Sequence, residues 1–162
     1  MTPQTDKSLD EFESQMRGVL APDPNRNPVD FLEANVKRIP YSVKAGAFRI
    51  DSSPWLREPL EATVDPEVQE IGAQACVQSG KSWLLEATSC LIPVLFPAPT
   101  LILNDIDRNA ADVLETRYKK LWTSIPAVAK CLPSDGIPKT GVINFTGNTC
   151  WVLGASNSRN LQ

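Results

Sequence analysis

The chain has 162 residues, a formal net charge of −3, and 42% hydrophobic and 22% charged residues. That length suits one domain with a real core, and the composition is ordinary for a globular protein. The acidic balance excludes an overall positive field for binding nucleic acid. The four cysteines are scattered and no histidine is present. A zinc site is therefore not expected, and the thiols fit a reducing compartment.

No signal peptide is expected, because the polar N-terminus lacks an apolar segment. The longest apolar stretch, residues 91–103, is interrupted by prolines and is too short to span a bilayer. These features predict a cytoplasmic protein. Residues 1–28 are predicted to be a polar arm that ends in a proline-rich linker, and residues 29–162 the domain itself. Within the arm, a short amphipathic helix is predicted from the helical spacing of Leu9, Phe12, Met16, Val19 and Leu20.

The domain is predicted to begin with two helices. The first starts at Pro28, with Asn27 as its cap. After a loop, the second is predicted over residues 54–64, and Pro59 is expected to bend or split it.

A regular alternation of strands and helices follows. Residues 100–103 are fully apolar, as expected for a central parallel strand, and helix 81–92 is apolar nearly all round, so it is expected to be covered on both sides. Pro93 is expected to kink or end that helix. Strands are predicted over 68–75, 100–103, 141–145 and 149–153, the last two as a hairpin, and helices over 81–92, 107–121 and 125–132. This order predicts an α/β fold with a parallel sheet and flanking helices.

The turn between the strand predicted at 68–75 and the helix predicted from Lys81 has the composition of a phosphate-binding loop. Residues 78–82 have the sequence Gln-Ser-Gly-Lys-Ser. The full P-loop (Walker A) pattern is Gly-x-x-x-x-Gly-Lys-Ser/Thr, and its first glycine position is occupied here by Ala75. Backbone N–H groups at such a turn and at the following helix start point into one concavity, which favours an anion.

Each loop residue has an expected role. Gln78 and Ser79 form the turn, and Gly80 lets the backbone approach the phosphates without a side chain. Lys81 is expected to contact the β- and γ-phosphate oxygens, and Ser82 to ligate Mg²⁺. ATP and Mg²⁺ are therefore the expected ligands.

Two other interpretations stay open at this point. The loop could belong to a different P-loop enzyme, such as a helicase-like domain or a small-molecule kinase, although the paired arginines of a kinase pocket are not evident. Alternatively, Gly80 and Lys81 could form an ordinary surface turn in an interaction domain that binds no nucleotide.

Several segments, taken in order, resemble the large terminase subunit of tailed bacteriophages in the lambda-like GpA branch. In that family the loop is Gln-x-Gly-Lys-Ser/Thr and the first P-loop glycine is commonly missing, as it is here. The resemblance covers about residues 28–162 and rests on segments 29–40, 48–49, 53–60, 65–71, 78–82 and 154–161.

The resemblance implies an ATP-driven motor that packages double-stranded phage DNA into the prohead. It implies a P-loop NTPase fold of the ASCE type, a homo-oligomeric motor, partners in the small terminase subunit and the portal or prohead, no membrane, and the cytoplasm of a bacterial host. It also implies that Trp55 and Arg57 border the adenine, since the family's segment before the loop lies there. The alternative for Trp55 is a core anchor of an amphipathic helix.

The chain also departs from the family pattern. Many terminases carry arginine or lysine before the loop glycine, whereas Ala75 and Val77 stand here, so the loop lacks a second cation of its own. The resemblance implies a strand ending in Asp-Glu that binds magnesium and activates water (Walker B). The one candidate for its aspartate is Asp105, which no glutamate follows. The alternative for Asp105 is an acid at a helix start. The chain is thus expected to be an N-terminal portion of the ATPase domain, without Walker B and the nuclease domain, and inactive alone.

The densest basic cluster is Arg117-Tyr118-Lys119-Lys120. One interpretation is that it contacts DNA phosphates. The other, which the composition favours, is a solvated helix face partly balanced by Asp112 and Glu115.

Overall fold

A computed structural model describes residues 27–42, 46–138 and 141–156, so the amphipathic helix predicted in the arm lies outside the described residues. The fold is mixed α/β. Its helices are α1 (Pro28–Asn35), α2 (Arg57–Ala62), α3 (Lys81–Leu95), α4 (Asp107–Val113), α5 (Lys119–Ser124) and α6 (Pro126–Ala129), and its strands are β1 (Thr100–Asn104), β2 (Val142–Phe145) and β3 (Asn148–Gly154). Among these helices, none is both long and apolar enough to cross a membrane.

Helix α1 begins where the sequence predicts. The Asn27 side-chain oxygen accepts hydrogen bonds from the N–H groups of Val29 (2.8 Å) and Asp30 (3.3 Å). Pro28 stands at the first helical position, where a missing N–H removes no hydrogen bond. Leu32 is fully buried and anchors the helix in the core.

The second helix differs in detail from the prediction. It starts as a 3₁₀ turn, Pro54–Leu56, and becomes α-helical at Arg57. Pro59 does not split it. Pro59 stands in the first turn of α2, where a backbone N–H has no intrahelical acceptor. Its missing N–H therefore removes no helical hydrogen bond.

The predicted strand over residues 68–75 is wrong. This segment has no regular secondary structure, and all its residues are exposed. In the described sheet the strand order is β1-β3-β2, so the segment pairs with none of these strands. A strand is stable only when a neighbour takes up its backbone hydrogen bonds, and a local pattern of apolar residues does not supply that neighbour.

Helix α3 follows the loop and continues through Pro93 to Leu95, so Pro93 does not end it. One side of α3 is deep in the core, where Ala87, Cys90 and Leu91 are fully buried. The expectation that both sides are covered is wrong for the described residues, because Leu85 is 63% exposed.

Helices α4 and α5 form one continuous run, which confirms the helix predicted over 107–121. Between them lies a wider π-turn, Leu114–Tyr118. The Trp122 ring contacts Phe145 of the sheet edge-on, with ring centroids 5.2 Å apart. Its indole N–H donates to Ser89 Oγ at 2.9 Å, so the same side chain ties α5 to α3.

The sheet is mixed rather than parallel. Strand β1 runs parallel to β3, and β2 runs antiparallel to β3, which confirms the strand at 100–103 and the hairpin. Strand β1 lies at the edge of the described sheet, not at its centre. Its Leu101 and Leu103 are about half exposed. The face that packs on the helices is formed by the buried residues Ile143, Phe145, Cys150 and Val152.

A close approach joins the end of the sheet to the start of α4. A Cβ atom at Gly154 would lie 2.1 Å from the backbone nitrogen of Asp107, so only glycine fits there. The Gly154 N–H donates to Asp107 Oδ1 at 2.9 Å. The parallel strands β1 and β3 thus end together beside the beginning of α4.

Candidate phosphate-binding site

The loop before α3 makes a tight turn through left-handed backbone. Gln78 has φ 62° and Gly80 has φ 95°. Glycine adopts such a conformation without steric cost, whereas a side chain at Gly80 would be strained. The turn reverses the chain, and α3 begins at Lys81.

The start of α3 is suited to an anion. Its first hydrogen bond runs from the Leu84 N–H to the Gly80 carbonyl at 2.9 Å. The amides from Gly80 to Trp83 therefore have no intrahelical acceptor, and the helix dipole makes this end positive. The first turn contains no acidic residue and begins with Lys81. A cation at the positive end of a helix is unfavourable by itself and becomes favourable when an anion binds.

The Lys81 side chain stays within the loop. Its ammonium donates to the carbonyl oxygens of Ala75 and of Cys76, the second at 2.6 Å. The Ser79 hydroxyl also donates to the Cys76 carbonyl, at 2.8 Å. Lys81 is exposed and so remains accessible to a ligand. These bonds close the loop on itself even though the segment before it forms no strand.

Trp55 is attached to the loop from the outside. Its indole N–H donates to the Ser79 carbonyl at 2.9 Å, and the residue is 58% exposed. The alternative of a core anchor is therefore wrong. Arg57 points elsewhere, since it forms an ion pair with Glu61 at 3.5 Å on the exposed side of α2.

Three cavities meet at the loop. The largest, about 690 Å³, lies between Trp55 and residues 72–79, and it is mostly apolar. A second, about 420 Å³, is lined in part by Trp55, Phe48 and Trp83. The third, about 520 Å³, is lined by residues 77–82 and Arg117. Trp55 borders two of the three, whereas Arg57 is not among the residues that line them.

The third cavity is lined by a cation that the loop motif does not contain. Arg117 Nη1 lies 3.0 Å from Glu86 Oε1, and Glu86 is only 2% exposed. The Tyr41 hydroxyl donates to the other carboxylate oxygen, Oε2. Burial, reinforced by Glu86, raises the pKa of Tyr41 far above its usual value, so the phenol remains a donor. The signal in the sequence was a single acid, Glu86, within the apolar α3.

The basic cluster is divided in the structure. Tyr118 is buried, and Lys119 pairs with Glu115 one turn away. Arg117 is directed to Glu86 and the loop. The cluster therefore does not form one continuous cationic face, and Glu115 balances it as the composition suggested.

Asp105 is a helix-start residue in this structure. Its carboxylate accepts hydrogen bonds from Asn109 Nδ2 at 2.8 Å and from the Ile106 N–H at 2.9 Å. These bonds, chiefly the one from Asn109, lower the pKa of the carboxyl group. Asp105 is not among the residues that line the three cavities.

The described residues contain no group of three or more His, Cys, Asp or Glu side chains that could hold a metal ion. Ser82, the residue after Lys81, also lines the third cavity. Magnesium commonly binds through few protein ligands and completes its shell with phosphate oxygens and water. A lone hydroxyl at this position fits such a site.

Comparison with known proteins gives one family. No curated protein and no solved structure matches the chain. The family described as "Phage terminase large subunit gpA, ATPase domain" matches residues 42–162, which include the loop, α3, the whole sheet and Arg117. Since this match covers well over half of the sequence, the chain belongs to the ATPase-domain family of the phage terminase large subunit gpA.

Proposed function

We propose that the loop at residues 78–82 binds the triphosphate of ATP. The observation that carries the proposal is the third cavity, which is lined by Gly80, Lys81 and Ser82 at the start of α3, where the backbone amides have no intrahelical acceptor. Backbone amides, a helix dipole and a cation converging on one concavity form the usual protein site for phosphate. Family membership supports the same ligand.

Within this site each residue has a separate role. Gly80 keeps the backbone free of a side chain next to the phosphates, while Gln78 and Ser79 hold the turn. Lys81 exchanges the carbonyl oxygens of Ala75 and Cys76 for phosphate oxygens, which are stronger acceptors because they are charged. The Ser82 hydroxyl holds the magnesium ion, which when bound neutralises charge on the phosphates.

We further propose that Trp55 borders the adenine. An exposed indole offers a flat apolar surface, and its N–H is already committed to the loop carbonyl of Ser79. The mostly apolar 690 Å³ cavity beside it is large enough for a base. Arg57, which pairs with Glu61, has no part in this proposal.

The biological role follows from the family. We propose that ATP hydrolysis at this site, within a P-loop NTPase fold of the ASCE type, drives double-stranded phage DNA into the prohead. The partners are then the small terminase subunit, the portal and further copies of the same motor subunit. The host cytoplasm is the corresponding location.

Thermal unfolding with and without Mg·ATP tests the proposal. A ligand present at about 100 times its Kd adds about 2.7 kcal/mol to the free energy of unfolding. We expect the wild-type chain to be stabilised and Lys81→Ala not to be. The matched control is Lys120→Ala, which removes an exposed lysine that lines none of the three cavities. An equal Mg·ATP shift in wild type and Lys81→Ala would contradict the assignment.

A further inference from the structure

Arg117 is the one residue lining the third cavity, here called the phosphate cavity, that lies outside residues 77–82. The other lining residues run from Val77 to Ser82, and Lys81 is their only cation. Arg117 lies in the π-turn between α4 and α5, a local widening that is frequent at functional sites. The cavity therefore has two cations, supplied by separate parts of the chain.

Two side chains fix the direction of Arg117. Its Nη1 is 3.0 Å from Glu86 Oε1, and its guanidinium carbon lies 5.6 Å from the centroid of the Tyr41 ring. Tyr41 also donates its hydroxyl to Glu86. A buried carboxylate is costly unless it is paired, so Glu86 keeps the guanidinium in place. Since Glu86 belongs to α3, the helix that begins at the loop also positions the arginine.

The pairing with Glu86 leaves much of the guanidinium available. Arginine has five N–H donors in a planar fork, and the ion pair with Glu86 is formed by Nη1. The Arg117 side chain is still 44% exposed and borders the cavity. A planar fork matches the oxygens of a phosphate and can bind two of them at once.

We propose that Arg117 is a second phosphate-binding residue, whose guanidinium contacts the terminal phosphate of a bound nucleoside triphosphate while Glu86 and Tyr41 position it. The inference rests on the proposed function and adds to it a contact that a diphosphate cannot make. The competing explanation is a structural brace, in which Arg117 only neutralises Glu86.

The test removes the buried charge first. Glu86→Gln keeps an acceptor for Tyr41 and makes Arg117 dispensable for neutralising position 86. The double variant Glu86→Gln/Arg117→Met then lacks the cation without leaving a buried carboxylate unpaired. Lys120→Met in the same background is the matched control, since it removes an exposed cation of the adjoining α5. Dissociation constants for Mg·ATP and Mg·ADP are measured by calorimetry, with Lys81→Ala alongside.

We expect the double variant to bind Mg·ATP about tenfold or more weakly than Glu86→Gln, the size of one lost charge-assisted hydrogen bond. Its affinity for Mg·ADP should change much less, and Lys120→Met should change neither. Equal ATP affinity in the double variant and Glu86→Gln, with binding lost in Lys81→Ala, would overturn the role of Arg117 and leave the proposed function standing. Absence of ATP binding in the wild-type chain would overturn both.

A second variant keeps the test valid if the double variant does not fold. Arg117→Lys retains a positive charge beside Glu86 but loses the planar fork. We expect it to melt close to wild type and to lose much of the preference for Mg·ATP over Mg·ADP. An unchanged preference would count against the proposal.

Discussion

The two sides of the phosphate loop are built in opposite ways. After the loop, α3 is buried along one side and bonded to α5 through Trp122. Before the loop, residues 68–76 are exposed and form no strand. On the second side, the carbonyls of Ala75 and Cys76 accept hydrogen bonds from Lys81, and Trp55 supports the loop itself at the Ser79 carbonyl. The buried side thus presents the amides, and the side before the loop lies in solvent.

The largest difference between the two sides should appear in stability. Trp122 is fully buried and contacts Tyr118 and Phe145. We expect Trp122→Ala to lower the free energy of unfolding by about 3–5 kcal/mol, the usual cost of truncating a large buried side chain. Denaturant titration measures it. A loss below about 1 kcal/mol would mean that the helices do not pack on the sheet as described.

The second-largest effect is expected at alkaline pH, which should lower the free energy of unfolding through the buried thiols of Cys90 and Cys150. Burial raises the pKa of Cys150 to about 12 from its ordinary 9.0, and it raises the pKa of Cys90 further. The unfolded chain therefore releases these protons at a lower pH than the folded chain does. Stability should be constant up to about pH 9 and should fall as the pH rises from 9 towards 12. Unfolding measured across this range tests the sign, and a rise in stability would contradict it.

A smaller effect is expected on the exposed side. Trp55→Phe keeps an aromatic ring but removes the N–H that bonds the Ser79 carbonyl. We expect stability to change by less than about 1 kcal/mol, because the bond is exposed. Mg·ATP affinity should fall a few-fold, since the loop loses an outside support. Calorimetry gives the affinity, and unchanged binding would show that Trp55 does not support the loop.

The smallest expected effect concerns the reactivity of one thiol. Cys76 is exposed just before the loop, whereas Cys90 and Cys150 are buried with raised pKa values. Alkylation of the native chain near pH 8 should therefore modify Cys76 first, as mass spectrometry of the digested protein can establish. Mg·ATP should slow that reaction in wild type and not in Lys81→Ala. Equal rates at Cys76 and Cys90 would contradict the described burial.

The comparison also explains what the sequence could predict. Local signals were sufficient for α1, where Asn27 and Pro28 define the start, and for the hairpin at Gly147, whose positive φ suits glycine. They failed for residues 68–75, because a strand depends on a distant partner for its hydrogen bonds. Local signals also failed to place β1 at the edge of the sheet, for the same reason.

The candidate site was predicted in part. Its loop residues follow from a short contiguous pattern, and the structure brings Gln78 to Ser82 together around one cavity. Arg117 could not be assigned from the sequence, because its approach to the loop depends on the packing of the π-turn against α3 and on the buried Glu86. A lone acid in an apolar helix indicates that a partner exists, but not which one.

The most direct test of the account is hydrogen exchange at the loop amides, followed by NMR with and without Mg·ATP. The central claim is that the N–H groups from Gly80 to Trp83 donate to phosphate oxygens. We predict that these amides exchange more slowly when Mg·ATP is bound, and that the effect is lost in Lys81→Ala. Exchange rates that do not change on saturation with Mg·ATP would contradict the claim.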